Sequence, residues 1–106
     1  MGVYVDGYVV PVPKKRLAVY RKLARKAGKV WMEHGALAVQ ENVADDVKKG
    51  EVVVFSWIVF KSRQQRDKVN AKVMKDPRLE KMMDPKNPPF DGKRMFWGGF
   101  KELVKL

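Results

Sequence analysis

Val52-Val53-Val54-Phe55-Ser56-Trp57-Ile58-Val59-Phe60 reads as a β-strand with no face for solvent. A half-exposed strand alternates apolar and polar residues. Here large apolar groups stand on both parities, so both faces need cover. The run is also too short for a buried helix. The fold follows from asking what the rest of the chain can lay against each side.

Upstream, Val3 to Val10 reads as a first strand, interrupted by Asp6-Gly7 and ended by Pro11 and Pro13. A helix is predicted from about Lys14 to His34, with Pro13 in its first turn and Gly35 as the residue that closes it. On its wheel Leu17, Tyr20, Leu23, Ala24, Ala27, Val30 and Trp31 form one apolar stripe. Lys14, Lys15, Arg21, Lys22, Arg25, Lys26 and Lys29 fall opposite. Ala36 to Val43 is a second strand, joined to the third through Asp45-Asp46-Val47-Lys48-Lys49-Gly50, a hairpin-like connection.

Downstream, Ser62 with Gln65 makes a capping-box pattern for a second helix, which Asp76-Pro77 ends. Pro77 to Met83 adds a short further turn, and Asp84 to Lys93 is loop. Arg94 to Phe100 is a fourth strand, with Gly98-Gly99 marking a bulge or a close backbone approach. The order β-α-β-β-α-β is that of a ferredoxin-like α+β sandwich, a four-stranded antiparallel sheet with two helices on one face. The other face is then bare, although the third strand and Met95-Phe96-Trp97 supply apolar groups to both. Two sheets packing face to face resolve this. A homodimer is expected, with Phe55, Trp57, Phe96 and Trp97 as core or dimer-interface anchors.

The 106 residues suit a single domain, 1–106, with 45% hydrophobic and 33% charged residues, a composition for one packed core. The absence of cysteine excludes disulfides and thiolate chemistry and suits the cytoplasm. Met1-Gly2-Val3-Tyr4-Val5-Asp6 lacks the basic lead and long apolar stretch of a signal peptide. No window nears the ~20 apolar residues needed to span a membrane. The net charge of +11 is the one anomaly and favours polyanions. Ferredoxin-like RNA binders, however, carry basic and glycine residues among the aromatics of the bare face, which this chain lacks. Nucleic acid is therefore expected only as a weak, non-specific partner of the basic helix faces.

Tyr4-Val5-Asp6-Gly7-Tyr8-Val9-Val10-Pro11-Val12-Pro13 and Glu33-His34-Gly35-Ala36-Leu37 carry a family resemblance. Val54-Phe55-Ser56-Trp57-Ile58-Val59, Val69-Asn70-Ala71-Lys72-Val73-Met74 and Met82-Met83-Asp84-Pro85 extend it. Pro89-Phe90-Asp91-Gly92-Lys93-Arg94-Met95 and Gly98-Gly99-Phe100 complete it. Together they resemble the uncharacterised YbaA-like family of small bacterial proteins, over nearly the whole chain. That family looks like a branch of the dimeric α/β-barrel superfamily, which includes cofactor-free monooxygenases, isomerases and haem enzymes. The resemblance implies the dimer and assigns no activity. The link between the second and third strands looks shorter than is usual in the family, and the surface more basic.

Few residues could carry chemistry. His34, the only histidine, is a candidate base or acid, although a structural histidine at a helix C-terminus is the commoner case. Asp6 interrupts an apolar strand and needs a partner if buried. Arg66 and Asn70 share the apolar side of the second helix, and Asp91 and Arg94 flank the start of the last strand. His34 and Asp6 are thus candidate catalytic groups, and Arg66, Asn70, Asp91 and Arg94 candidate ligand-binding groups, around a pocket between helices and sheet. An internal network of ion pairs is an equally good reading of them. One histidine and no cysteine give no metal site, and no cofactor is implied. The expectation is a homodimer of unknown function with a small-ligand pocket. The alternative is a cofactor-free enzyme acting on a small aromatic or quinone-like substrate.

Overall fold

The computed structural model describes residues 2–46, 52–82, 86 and 88–106. The strands are β1 (Tyr4–Val12), β2 (Ala38–Val43), β3 (Val52–Phe60) and β4 (Phe96–Lys101). The helices are α1 (Leu17–Glu33), α2 (Arg63–Lys75) and the short α3 (Pro77–Met82). All neighbouring strands run antiparallel in the order β2-β3-β1-β4, which is the ferredoxin-like arrangement. Most of the connection expected at Asp45 to Gly50 lies outside the described residues, as do Met83, Asp84, Pro85 and Asn87.

Directly opposed residues of an antiparallel pair point to the same face, so the register sorts the side chains. Val54, Ser56, Ile58 and Phe60 of β3 share the helix side with Tyr4, Asp6, Tyr8 and Val10 of β1. All four of these β3 residues are buried. The alternate β3 residues Val53, Phe55, Trp57 and Val59 point to the other side, with Val9 and Phe96 in register beside Phe55. Among the described residues no helix covers that side. Phe55 is 54% exposed, Phe96 66% and Phe100 50%.

The helix side holds two apolar clusters. Val30, Ile58, Phe60, Val69 and Val73 join α1 and α2 to one end of the sheet. Val10, Val12, Tyr20 and Val54 join the start of α1 to the other. Tyr8 packs against both.

Several boundaries differ from the sequence reading for identifiable reasons. β1 runs through Pro11 to Val12, where Pro11 was expected to end it. N–H and C=O of one residue point the same way in such a strand, and the Pro11 carbonyl accepts from Asp91 N at 3.1 Å. The missing N–H therefore faces past the end of β4, where no ladder bond is lost. The expected helix from Lys14 begins as a 3₁₀ turn, Lys14–Arg16, before α1 proper. β4 starts two residues later than expected because Arg94 is tied into a turn: its N–H donates to Asp91 O at 3.3 Å and its Nε to Asp91 Oδ2 at 2.6 Å. Gly98-Gly99 is a close approach without a bulge, since the register runs through both and a Cβ on Gly99 would overlap Tyr4.

The second helix starts as the capping pattern requires, with Ser62 Oγ accepting from Gln65 N at 3.1 Å. The return bond is shifted by one residue, because Gln65 Oε1 takes the N–H of Lys61 at 2.5 Å. Gln65 Nε2 also donates to the Gly35 carbonyl at 2.9 Å, which ties the α2 start to the α1 end.

Gly35 has φ of 117°, a conformation that side chains make costly. A Cβ there would stand 3.4 Å from Val69, an ordinary contact, so the cost of an alanine is one of backbone. Gly35→Ala is expected to lower unfolding free energy by about 1–3 kcal/mol in urea titration. A loss below about 0.5 kcal/mol would show that the turn relaxes freely.

Candidate functional site

The apolar stripe of α1 is only partly used for packing. Tyr20 and Val30 are buried, while Leu17, Leu23, Ala24 and Ala27 are half-buried. The reason is a cavity of about 320 Å³ that lies between this stripe and the sheet. Leu23, Ala27 and Trp31 form its roof, and Phe90 and Met95 close one flank. Tyr20 meets Phe90 edge-on at 6.0 Å between ring centroids.

Tyr8, Ser56 and Glu41 line the opposite wall. They form one row across the sheet, since Tyr8 is opposite Ser56 and Ser56 opposite Glu41. Trp97 continues the row onto β4, stacked on Tyr8 at 6.3 Å. The row therefore spans all four strands and puts hydroxyl and carboxyl groups into an otherwise apolar cavity wall.

Tyr20, reaching down from α1, donates its hydroxyl to Glu41 Oε1 at 2.5 Å. Glu41 is exposed as a residue, but desolvation of its carboxyl against this wall raises the pKa above its usual 4.5, while hydrogen bonds from Tyr20 and Ser56 work the other way. Burial also pushes both phenols up, Tyr8 with help from the Asp6 charge and Tyr20 with help from its bond to Glu41. Both hydroxyls stay protonated through the physiological range. The Tyr8 hydroxyl makes no side-chain hydrogen bond among the described residues, so it can donate to a guest.

The residues singled out from sequence lie elsewhere. Asp6, fully buried, accepts from Arg66 Nη1 at 2.8 Å and Asn70 Nδ2 at 3.3 Å. Trp31 Nε1 donates to Asn70 Oδ1 at 3.0 Å, and the Arg66 guanidinium sits 5.0 Å above the Tyr4 ring. Asp6, Arg66 and Asn70 thus come together as one network, beside the cavity without lining it. His34 Nε2 pairs with Asp76 Oδ2 at 2.9 Å at the far end of α1, also outside the cavity lining. Hydrogen bonds from Arg78, then from His34, hold the Asp76 carboxyl well below the usual carboxylate range. Asp91 and Arg94 pair with each other in the turn before β4. Phe55, Trp57 and Phe96 share the uncovered face, whereas Trp97 is on the helix side.

Tyr8, Tyr20, Glu41 and Ser56 were not picked out by sequence reasoning. Ser56 gave the one available signal, a lone hydroxyl inside the apolar run. Its meaning depends on strand register, which brings Tyr8 and Glu41 to either side of it.

The Asp6 network has a clear energetic consequence. Removing one partner of a buried ion pair strands the other charge without solvent, and costs about 3–5 kcal/mol. Arg66→Met is expected to destabilise by this amount in urea titration, and adding Asp6→Asn to it should restore much of the loss. Equal stability of Arg66→Met and wild type would show that Asp6 is solvated or neutral.

Comparison with known proteins agrees with this architecture. The chain is 42% identical to the uncharacterized protein YbaA of Escherichia coli K12 over an alignment of 115 residues, covering 95% of this chain and 97% of YbaA. It has the same identity and coverage against YbaA of Shigella flexneri. A variant of SnoaB, a cofactor-independent oxygenase from Streptomyces nogalater, superposes with a TM-score of 0.71 at 10% identity, covering 100% of this chain and 98% of that one. A nipsnap family protein of unknown function from Agrobacterium tumefaciens gives 0.67 at 14% identity, covering 95% and 88%. A dimeric ferredoxin-like protein from an uncultured marine organism gives 0.62 at 16% identity, covering 100% and 98%. At such identities these structures show the shared ferredoxin-like fold alone. Residues 3–92 match the model of a family described as protein of unknown function, DUF1428, and the chain belongs to that family.

Proposed function

We propose that the protein is a homodimer that binds a small, flat, largely apolar molecule in the cavity between α1 and the sheet. The observation that carries this reading is the row Tyr8–Ser56–Glu41 at the cavity wall. An apolar chamber with few convergent polar groups orients a ligand by one or two hydrogen bonds and holds it by burial. The unpaired Tyr8 hydroxyl fits a carbonyl or phenol oxygen, and Trp31 and Phe90 offer ring faces. A quinone or a simple phenol has this chemistry.

The homodimer is supported by the uncovered face. Phe55, Trp57, Phe96 and Phe100 leave water when a second sheet packs on them, and apolar burial contributes about 25 cal/mol per Å². Description of one fold relative as dimeric supports the same arrangement. The partner would lie opposite α1 and leave the cavity open. A cytoplasmic location goes with this reading, supported by the cysteine-free composition.

A cofactor-free enzyme on the same class of molecule is the second reading, and Glu41 favours it. A carboxyl with a raised pKa beside a bound ring is suited to accept or return a proton. Likeness to SnoaB is one of fold and bears equally on binding and catalysis. For nucleic acid, the exposed basic face of α1 supports only weak contact that fades with salt.

A thermal-shift panel of quinones and phenols tests the site. A ligand at a hundredfold excess over its Kd stabilises the fold by about 2.7 kcal/mol. Wild type and His34→Ala are expected to show the shift, and Ala27→Phe, which fills the cavity, to lose it. No shift with any compound, or an undiminished shift in Ala27→Phe, would overturn the assignment. Sedimentation equilibrium tests the assembly: a dimer is expected at micromolar concentration, and a monomer for Phe55→Glu combined with Phe96→Glu. A monomeric wild type would end the dimer proposal.

A further inference from the structure

Beside the cavity, and sharing Tyr20, Ala24, Gly28, Val39 and Glu41 with it, a groove of about 600 Å³ runs between α1 and the edge strand β2. Its length is that of the helix: Leu17 and Met32 mark its ends, about 22 Å apart at about 1.5 Å per residue. Its floor is apolar, and Met32 and Val43 on it are 45% and 52% exposed.

Its outer rim is cationic. Arg21, Arg25 and Lys29 line the groove and are spaced four apart, so they stand one above the next along α1. Lys22 and Lys26, equally exposed, are not among the lining residues. None of the three rim cations has an ion pair or hydrogen bond among the described residues. Like charges at this spacing repel, each pair costing about 0.2–0.5 kcal/mol. Against the three cations the groove offers one carboxyl, Glu41, already engaged by the Tyr20 hydroxyl.

We propose that this groove binds an amphipathic organic anion, an acyl chain along Met32, Val39 and Val43 with its carboxylate on the Arg21–Arg25–Lys29 rim. The ligand's shape follows from the length of the apolar floor, and its charge from the three unpaired cations. One anionic head relieves their mutual repulsion, and guanidinium–carboxylate contact is bidentate. The inference extends the small-ligand reading by naming the charge and form of a ligand at the adjoining groove, and it leaves the sheet face free for the second subunit.

Isothermal titration with decanoate and with 1-decanol, both below the concentration at which they aggregate, separates the two contributions. Decanoate is expected to bind at least about tenfold more tightly, the equivalent of about 1.4 kcal/mol. The preference should fade with added salt. It should vanish in Arg21→Gln/Arg25→Gln/Lys29→Gln and persist in Lys14→Gln/Lys22→Gln/Lys26→Gln, which removes equal charge away from the groove. Circular dichroism checks that both variants fold. Equal binding of acid and alcohol by wild type would overturn the anion site while leaving an apolar pocket standing. Equal loss in both variants would reduce the effect to net charge and overturn it too. Failure of both ligands would also overturn the groove, and the quinone and phenol panel then decides separately whether the inner cavity binds.

Discussion

Burial of both faces of β3 is the constraint on which the rest depends. One face, Val54-Ser56-Ile58-Phe60, is met within the chain by α1 and α2. The other presents Val53, Phe55, Trp57 and Val59 to the side that no helix among the described residues reaches. Phe55 of β3 and Phe96 of β4, in register on either side of Val9 of β1, make that side a surface for association, because a contiguous apolar patch in water lowers its free energy by finding cover. The sheet thus has two unlike faces: one bare and apolar, the other packed by α1 and α2 around the cavity.

On the helix side, α1 is held firmly at two places and stands off between them. Val30 anchors one end against Ile58 and Phe60, and Tyr20 anchors the other among Val10, Val12 and Val54. Between these anchors the stripe is built from Leu23, Ala24 and Ala27, and the two alanines are too small to fill the gap. A larger side chain at Ala27 would convert the cavity into ordinary core. The cavity is thus a consequence of residue size on one helix, and its polar wall of the row in which Ser56 stands between Tyr8 and Glu41.

Much of this was legible in the chain because periodicity is a local property. The limits of β3 came directly from its apolar run, and the α1 stripe from the spacing of Leu17, Tyr20, Ala24 and Trp31. Ser62 and Asp76 bracketed α2 by capping and by the restriction before Pro77. The site was less legible because it depends on register. Glu41 is an exposed residue of a strand, and only pairing shows that it stands beside Ser56. Asp6 drew attention as a charge in an apolar strand, and its neighbours Arg66 and Asn70 were found from the helix wheel. What the wheel could not decide is which of the two readings holds, pocket or internal network; these three satisfy one another outside the cavity. Trp97, expected as a core or interface anchor, is likewise assigned a side only by register, which sets it opposite Tyr8 on the helix side.

The three tryptophans occupy the three environments that matter, which permits a direct test. Trp31 roofs the cavity, Trp57 lies on the uncovered sheet face, and Trp97 is exposed at the far end of the cavity-side row. Fluorine NMR of protein labelled with 5-fluorotryptophan, recorded with a soluble paramagnetic agent, reads the solvent access of each separately. The expected result is a sharp Trp57 resonance, shielded by the second subunit, beside a Trp97 resonance that broadens. A Trp57 resonance broadened as strongly as that of Trp97 would contradict the claim that a second copy of the chain covers the face β3 leaves bare.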